Sequence, residues 1–124
     1  MKYKTLGDSG LLVSTLCLGT MTFNGGEGFW KAIGTVDQAG ADGIIKAAIE
    51  AGINFFDTAD VYSAGAAEEI LGTTIKGRRG DVLISTKATF RTGVGANDVG
   101  SSRIHLINSV NAALNAHSPT LGSK

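Results

Sequence analysis

Three side chains able to hold or move a proton recur at corresponding places along this 124-residue sequence. Asp57 ends the apolar run Ile53-Asn54-Phe55-Phe56, Lys87 ends Val82-Leu83-Ile84-Ser85-Thr86, and Tyr62 follows Asp57 closely enough for a short turn to bring it back. A phenol with an ordinary pKa near ~10 is a reluctant donor at neutral pH, and an adjacent ammonium eases its ionisation. Lys87 is the candidate ammonium, and Asp57 the carboxylate that would keep it charged and in place. Singly, each has a plain structural reading: a strand-end cation, a cap and an amphipathic surface residue. Their convergence is what gives the set chemical meaning. A third apolar run, Leu16-Cys17-Leu18, ends in Gly19-Thr20-Met21 and would add a further corner to the same rim.

Such convergence requires parallel strands, because sites of α/β sheets lie at the carboxyl ends of the strands. The sequence supplies the pattern. Tyr3 to Ser14 holds two short extended segments around Asp8-Ser9-Gly10, which predicts a β-hairpin. Leu16 to Met21 reads as a strand buried on both faces. From Asp37 to Ala51, Ile44, Ile45, Ala48 and Ile49 share a helical face, while Asp42, Lys46 and Glu50 follow at i, i+4 on another. Gly52 supplies the stop. A second helix has Ala67, Ile70, Leu71 and Ile75 as its inner stripe. A third is capped by Ser101 or Ser102, has Ile104, Ile107, Val110 and Leu114 as its expected inner side, and ends by Pro119. Strands alternating with helices imply right-handed crossovers and a parallel sheet.

Residues 22 to 36 read as a loop carrying Phe23, Phe29 and Trp30. A second loop, rich in glycine, runs from Arg91 to Gly100. With 18 glycines and one proline, the glycines cluster at element ends rather than in repeats. Gly25-Gly26 and Gly93-Val94-Gly95 do not form a dinucleotide-binding fingerprint after a strand.

Composition bounds the function. Lys plus Arg and Asp plus Glu are both 11, so no net field favours nucleic acid or an anionic membrane, and Lys76, Arg78 and Arg79 read as a solvated helix end. A hydrophobic share of 43% with 18% charged suits one globular domain over residues 1–124. The single cysteine, Cys17, is expected to be a small buried core residue. Without an apolar leader after Met1 or a run near ~20 apolar residues, the expectation is a cytoplasmic chain.

The run Gly52-Ile53-Asn54-Phe55-Phe56-Asp57-Thr58-Ala59-Asp60-Val61-Tyr62-Ser63, followed by Glu68-Glu69-Ile70-Leu71-Gly72, closely resembles the signature of aldo-keto reductases. Ser85-Thr86-Lys87 is similar to that family's catalytic-lysine strand, and Leu16 to Met21 to its first barrel strand. The resemblance runs from Tyr3 to about Leu114. It implies an N-terminal hairpin followed by three βα units of a (β/α)8 TIM barrel, an incomplete barrel since the whole fold needs at least ~200 residues.

The same resemblance implies reduction of small aldehydes or ketones by NADPH. Tyr62 would be the general acid, Lys87 its activator and Asp57 the partner of Lys87. Gly19, Thr20, Met21 and Asp57 would lie by the nicotinamide ribose and ring, with Trp30 and Phe23 flanking the substrate. No metal is implied. The family's catalytic histidine ends a fourth strand, whereas His105 and His117 here fall on a helical segment, and both are expected to be surface or interface groups. Two other readings stand beside the reductase. One is a catalytically incomplete fragment acting by self-association through exposed strand edges. The other is a Schiff-base aldolase with Lys87 as nucleophile.

Overall fold

The computed structural model describes residues 1–24 and 26–117; Gly25 and the helix-ending Pro119 lie outside the described residues. Strands β1 (Tyr3–Thr5) and β2 (Leu12–Ser14) pair antiparallel with Tyr3 opposite Ser14, so the predicted hairpin forms. Its turn is closed by Ser9, whose hydroxyl donates to the Leu6 carbonyl at 2.6 Å and accepts from the Leu11 amide at 3.2 Å. The hairpin is fastened to the body by Asn54 and Tyr3. Asn54 accepts from the Ser14 amide at 2.8 Å, donates its side-chain amide to the Leu12 carbonyl at 3.0 Å, and gives its backbone amide to Ser14 Oγ at 3.2 Å. Tyr3 Oη adds a bond to the Gly52 carbonyl at 2.7 Å.

The body is a parallel three-stranded sheet in the order β3 (Leu18–Gly19), β4 (Phe55–Asp57), β5 (Leu83–Ser85). Leu18, Phe56 and Ile84 share one row, and Gly19, Asp57 and Ser85 the next. Helix α2 (Gln38–Glu50) links β3 to β4, α3 (Ala66–Thr74) links β4 to β5, and α4 (Arg103–His117) follows β5. The helices stand side by side, α3 between the other two. Asp37 caps α2 by accepting from the Gly40 amide at 2.9 Å. Gly52, at φ +86°, ends it: its amide bonds the Ile49 carbonyl and the Ile53 amide bonds the Ala48 carbonyl, both at 2.9 Å. The i, i+4 pair Lys46–Glu50 lies at 3.9 Å with both ends well exposed and contributes little.

Ala41 and Ile45 of α2, Phe56 of β4, and Ala67, Leu71 and Ile75 around α3 make the core. The stripe read for the second helix therefore points inward. Four readings need correction. Residues 22 to 36 are not all loop, since Phe29–Ile33 forms a short helix, α1. Cys17 is exposed rather than buried, and regular strand structure in that run is confined to Leu18–Gly19, because β3 is an edge strand whose outer side nothing covers among the described residues.

The third and fourth corrections concern α4. It is capped by Ser102, whose Oγ accepts from the His105 amide at 3.2 Å. However, it buries His105, Ala113 and His117, and leaves Ile104, Ile107, Val110 and Leu114 at 54%, 41%, 52% and 55% exposure. The two histidines are buried, not surface groups. Close approach is the reason: the Ala116 carbonyl of α4 sits where a side chain on Gly72 of α3 would be, so the small-residue face of α4 docks there and its apolar stripe turns away.

Candidate active site

The sheet brings Asp57 and Lys87 together. Asp57 closes β4; past β5, the Thr58 amide bonds the Ser85 carbonyl at 2.8 Å and the Asp60 amide bonds the Lys87 carbonyl at 3.1 Å, which carries the strand pairing out to the rim. Lys87 Nζ donates to Asp57 Oδ2 at 2.6 Å and to the Thr58 carbonyl at 2.8 Å. It also stands 5.3 Å from the centroid of the Tyr62 ring. Burial pulls the Lys87 pKa down, but the hydrogen bond and charge of Asp57, with a smaller part from Tyr62, outweigh it, so the pKa stands above the ordinary lysine value. Lys87 is therefore an ammonium at neutral pH.

Tyr62 is placed by a tight 3-10 turn, Tyr62–Gly65. Ser63 and Ala64 there hold φ values of 50° and 55°, in the left-handed region that glycine usually occupies. The conformation is fastened from inside, where Ser63 Oγ, buried, donates to the Phe23 carbonyl at 2.9 Å. Such a constrained turn beside polar rim residues is a common mark of a functional site. Trp30, from the short helix α1, packs edge-on against Tyr62 with ring centroids 5.8 Å apart.

The other residues read from the sequence divide. Gly19 is exposed in the Asp57 row, and nothing stands within 4 Å of where its Cβ would be, so a flat ligand can approach the backbone. Met21 is exposed beside it. Thr20 instead is fully buried, its amide and hydroxyl donating to the Asp57 carbonyl at 3.0 and 3.2 Å, so its side chain ties β3 to β4. Phe23, at 1% exposure, belongs to the core, and the structure does not bring it to the rim surface. A cavity of about 260 Å³ opens over the rim, lined by Tyr62, Lys87, Thr89 and Phe90. Although Cys17 is exposed, desolvation of its thiol, then the Asp57 carboxylate, push its pKa up against the opposing charge of Lys87.

One part of the neighbourhood has a weaker sequence signal. Glu68 of α3 is buried, and its Oε1 accepts from Thr86 Oγ1 at 2.6 Å, tying the residue before Lys87 to the helix layer. Burial raises its pKa against that hydrogen bond, and Asp60 adds to the rise. His117 Nε2 lies 3.9 Å from the same oxygen, and burial, then the charge of Arg79, lower its pKa to about 4. Charged residues in the first turn of a helix read as exposed dipole partners, which is how Glu68 would be taken from sequence. Among the described residues, no helix is long and apolar enough to cross a membrane.

Comparison with known proteins agrees with this fold. The Aldo/keto reductase family profile matches residues 15–117. The chain is 43% identical over 118 residues to the "Probable voltage-gated potassium channel subunit beta" of Arabidopsis thaliana, and 42% identical to the protein of the same description from Oryza sativa subsp. japonica. Each alignment covers 92% of this chain but only 33% of the relative, so the chain spans about a third of their length. A holo-form aldo-keto reductase from Bacillus halodurans superposes with a TM-score of 0.74 at 31% identity, over 95% of this chain and 37% of that one. The hairpin, three βα units and rim are thus part of that TIM-barrel fold, with the sheet left unclosed. The chain belongs to the aldo/keto reductase family.

Proposed function

We propose that this chain carries the proton-donating side of an NADP(H)-dependent site that reduces small aldehydes or ketones. The observation that supports it most is the Lys87 ammonium, held at 2.6 Å by Asp57 and set 5.3 Å from the Tyr62 ring centroid. In this reading Tyr62 gives its phenolic proton to the substrate carbonyl oxygen. The fixed ammonium stabilises the negative charge left on the phenol oxygen, and Asp57 with the Thr58 carbonyl stops Lys87 from swinging away. Trp30 holds the Tyr62 ring and walls the substrate side.

The residues present fit the nicotinamide end of the cofactor: an open backbone at Gly19, the exposed Met21 beside it, and the Asp57 carboxylate in the same row. When bound, NADPH would supply the hydride. A Schiff-base role for Lys87 is disfavoured, because a lysine whose pKa is raised is protonated and a poor nucleophile.

Fluorescence titration with NADPH is the test. Saturable binding, weakened by Asp57→Asn, is expected, and Tyr62→Phe should leave binding intact while reducing aldehyde turnover by about 10²–10⁴-fold. Binding indifferent to Asp57, or turnover indifferent to Tyr62, would sink the reading. A second reading, association without catalysis, is favoured by the exposed stripe of α4. It predicts no NADPH binding at any accessible concentration.

A further inference from the structure

Helices α3 and α4 approach closely where Gly72 meets the Ala116 carbonyl, and N-terminal to that contact both line a cavity of about 330 Å³. Its other walls are the turn from β4 into α3 and the loop before α4; no residue of the β3 or β5 edge takes part. The α4 wall runs through His105, Ser109, Ala112 and Ala116, which share one helical face. The charges lining the cavity are of one sign. Asp60, Glu68, Glu69 and Asp98 border it, and no lysine or arginine does. Arg91 of the same loop spends its Nη1 on the Gly93 and Gly95 carbonyls, and His117, 3.9 Å from Glu68, is held neutral with a pKa of about 4. Glu68 and Glu69 in the first turn of α3 complement its N-terminus, but two helix ends offer only about half an elementary charge each. The excess is anionic.

A second observation points to a ligand. His105, at 3% exposure, lines the same cavity, and its Nε2 makes no hydrogen bond among the described residues. Leaving a buried ring nitrogen without a partner is costly, so such atoms are rare in folded chains. Asp60 is fixed beside it on α4, where its Oδ2 accepts from Ser109 Oγ at 2.9 Å. We propose that this cavity binds a short aliphatic amine as its ammonium ion. An ammonium has three N–H donors, and acceptors for them come from three elements: Asp60 before α3, Glu69 on α3 and His105 on α4.

Ala64, Ala112 and Ala116 supply small apolar surface for the hydrocarbon part. A metal ion is a poorer fit. No group of three His, Cys, Asp or Glu side chains able to hold one occurs among the described residues, and about 330 Å³ leaves room for several carbons where one water takes about 30 Å³. Neither Asp57 nor Lys87 lines this cavity, so the site stands whether or not the rim binds NADPH.

Titration of the 124-residue chain with 1,4-diaminobutane at neutral pH and low salt, followed by proton–nitrogen NMR correlation spectra, tests the proposal. Saturable shifts are expected at amides of residues 60–69, 92–98 and 105–116, and the uncharged 1,4-butanediol should produce none. Asp60→Asn, Glu69→Gln and His105→Leu should each weaken binding by about tenfold or more, the usual worth of a hydrogen bond to a charged group. Circular dichroism checks that each variant keeps its helices; Glu69 is exposed, so its substitution serves even if a more buried one unfolds the chain. No saturation below about 10 mM, which is weaker than millimolar affinity, would overturn the proposal. So would shifts centred on Asp57 and Lys87, indifference to Glu69→Gln, or the same shifts produced by magnesium chloride at lower concentration, which would describe a metal site instead.

Discussion

Helices α3 and α4 are neighbours of the same rank in the fold, each following a strand and each carrying an apolar stripe, yet they treat that stripe in opposite ways. In α3, Ala67, Ile70 and Leu71 are buried with Ile75 just beyond. In α4 the stripe is exposed and the buried side chains are His105, Ala113 and His117. Hydrophobic period defines a face, but the surface available to it decides which face turns inward. Helix α3 lies between two helices with Phe56 in its core cluster, whereas α4 has α3 on one side and an uncovered sheet edge on the other.

The contrast can be broken or sharpened by mutation. Leu71→Ala should cost about 2–5 kcal/mol in urea denaturation, the usual cost of emptying a filled core position; a loss well below that would mean α3 is no better packed than α4. Next in size is a pH effect. His117, held neutral with a pKa of about 4, loses stability to the unfolded chain as pH falls from its ordinary 6.5 toward 4, on the order of 2–3 kcal/mol. The sign is fixed by the unfolded state, which binds the proton first. Glu68, with its pKa raised, acts in the opposite direction, its stabilisation being lost as pH rises above the ordinary carboxylate range. Because His117 and Glu68 lie 3.9 Å apart, His117→Gln is compared both in the unmodified chain and in Glu68→Gln, and equal pH profiles with and without His117 in both backgrounds would show that α4 does not bury it.

Gly72→Ala should cost about 1–3 kcal/mol, because the new methyl meets the Ala116 carbonyl and the two helices must part. Loss of helical circular dichroism from the α4 segment would accompany it. Smallest is Leu114→Ser, expected to change stability by no more than about 0.5 kcal/mol in dilute solution, where the stripe faces water. A cost as large as that of Leu71→Ala would restore the stripe to the interior.

The rim was legible because strand ends are written in the sequence: an apolar run stopping at Asp57 or Lys87 places that residue at the carboxyl edge whatever the helices do. Tyr62 was legible through its short spacing from Asp57, although the left-handed pair Ser63-Ala64 that turns it has no glycine to announce it. Phe23 and Thr20 are buried rather than at the rim surface for a related reason. Both lie in segments where backbone direction changes within two or three residues, so proximity in sequence to the site does not determine which side chain faces it. The interior orientation of His105 and His117 depends on the fit between Gly72 and Ala116, a contact between residues 44 apart that no local pattern encodes. Glu68 was hidden in a similar way, its partner Thr86 being 18 residues away.

The bonds of Asn54 to the hairpin, and of the hairpin's Tyr3 to Gly52, also bear on the order of events in folding. They join residues 40 to 49 positions apart, while the hairpin closes on itself across a handful. Local closure is fast and long closure waits on the chain entropy between its ends, so the hairpin should exist as an independent fluctuating unit before it has anywhere to attach. Its docking point is created only when the Gly52 turn and β4 are in place. The amide of Ser14, bonded to Asn54 rather than within the hairpin, would then gain protection from hydrogen exchange later than the amides paired between β1 and β2.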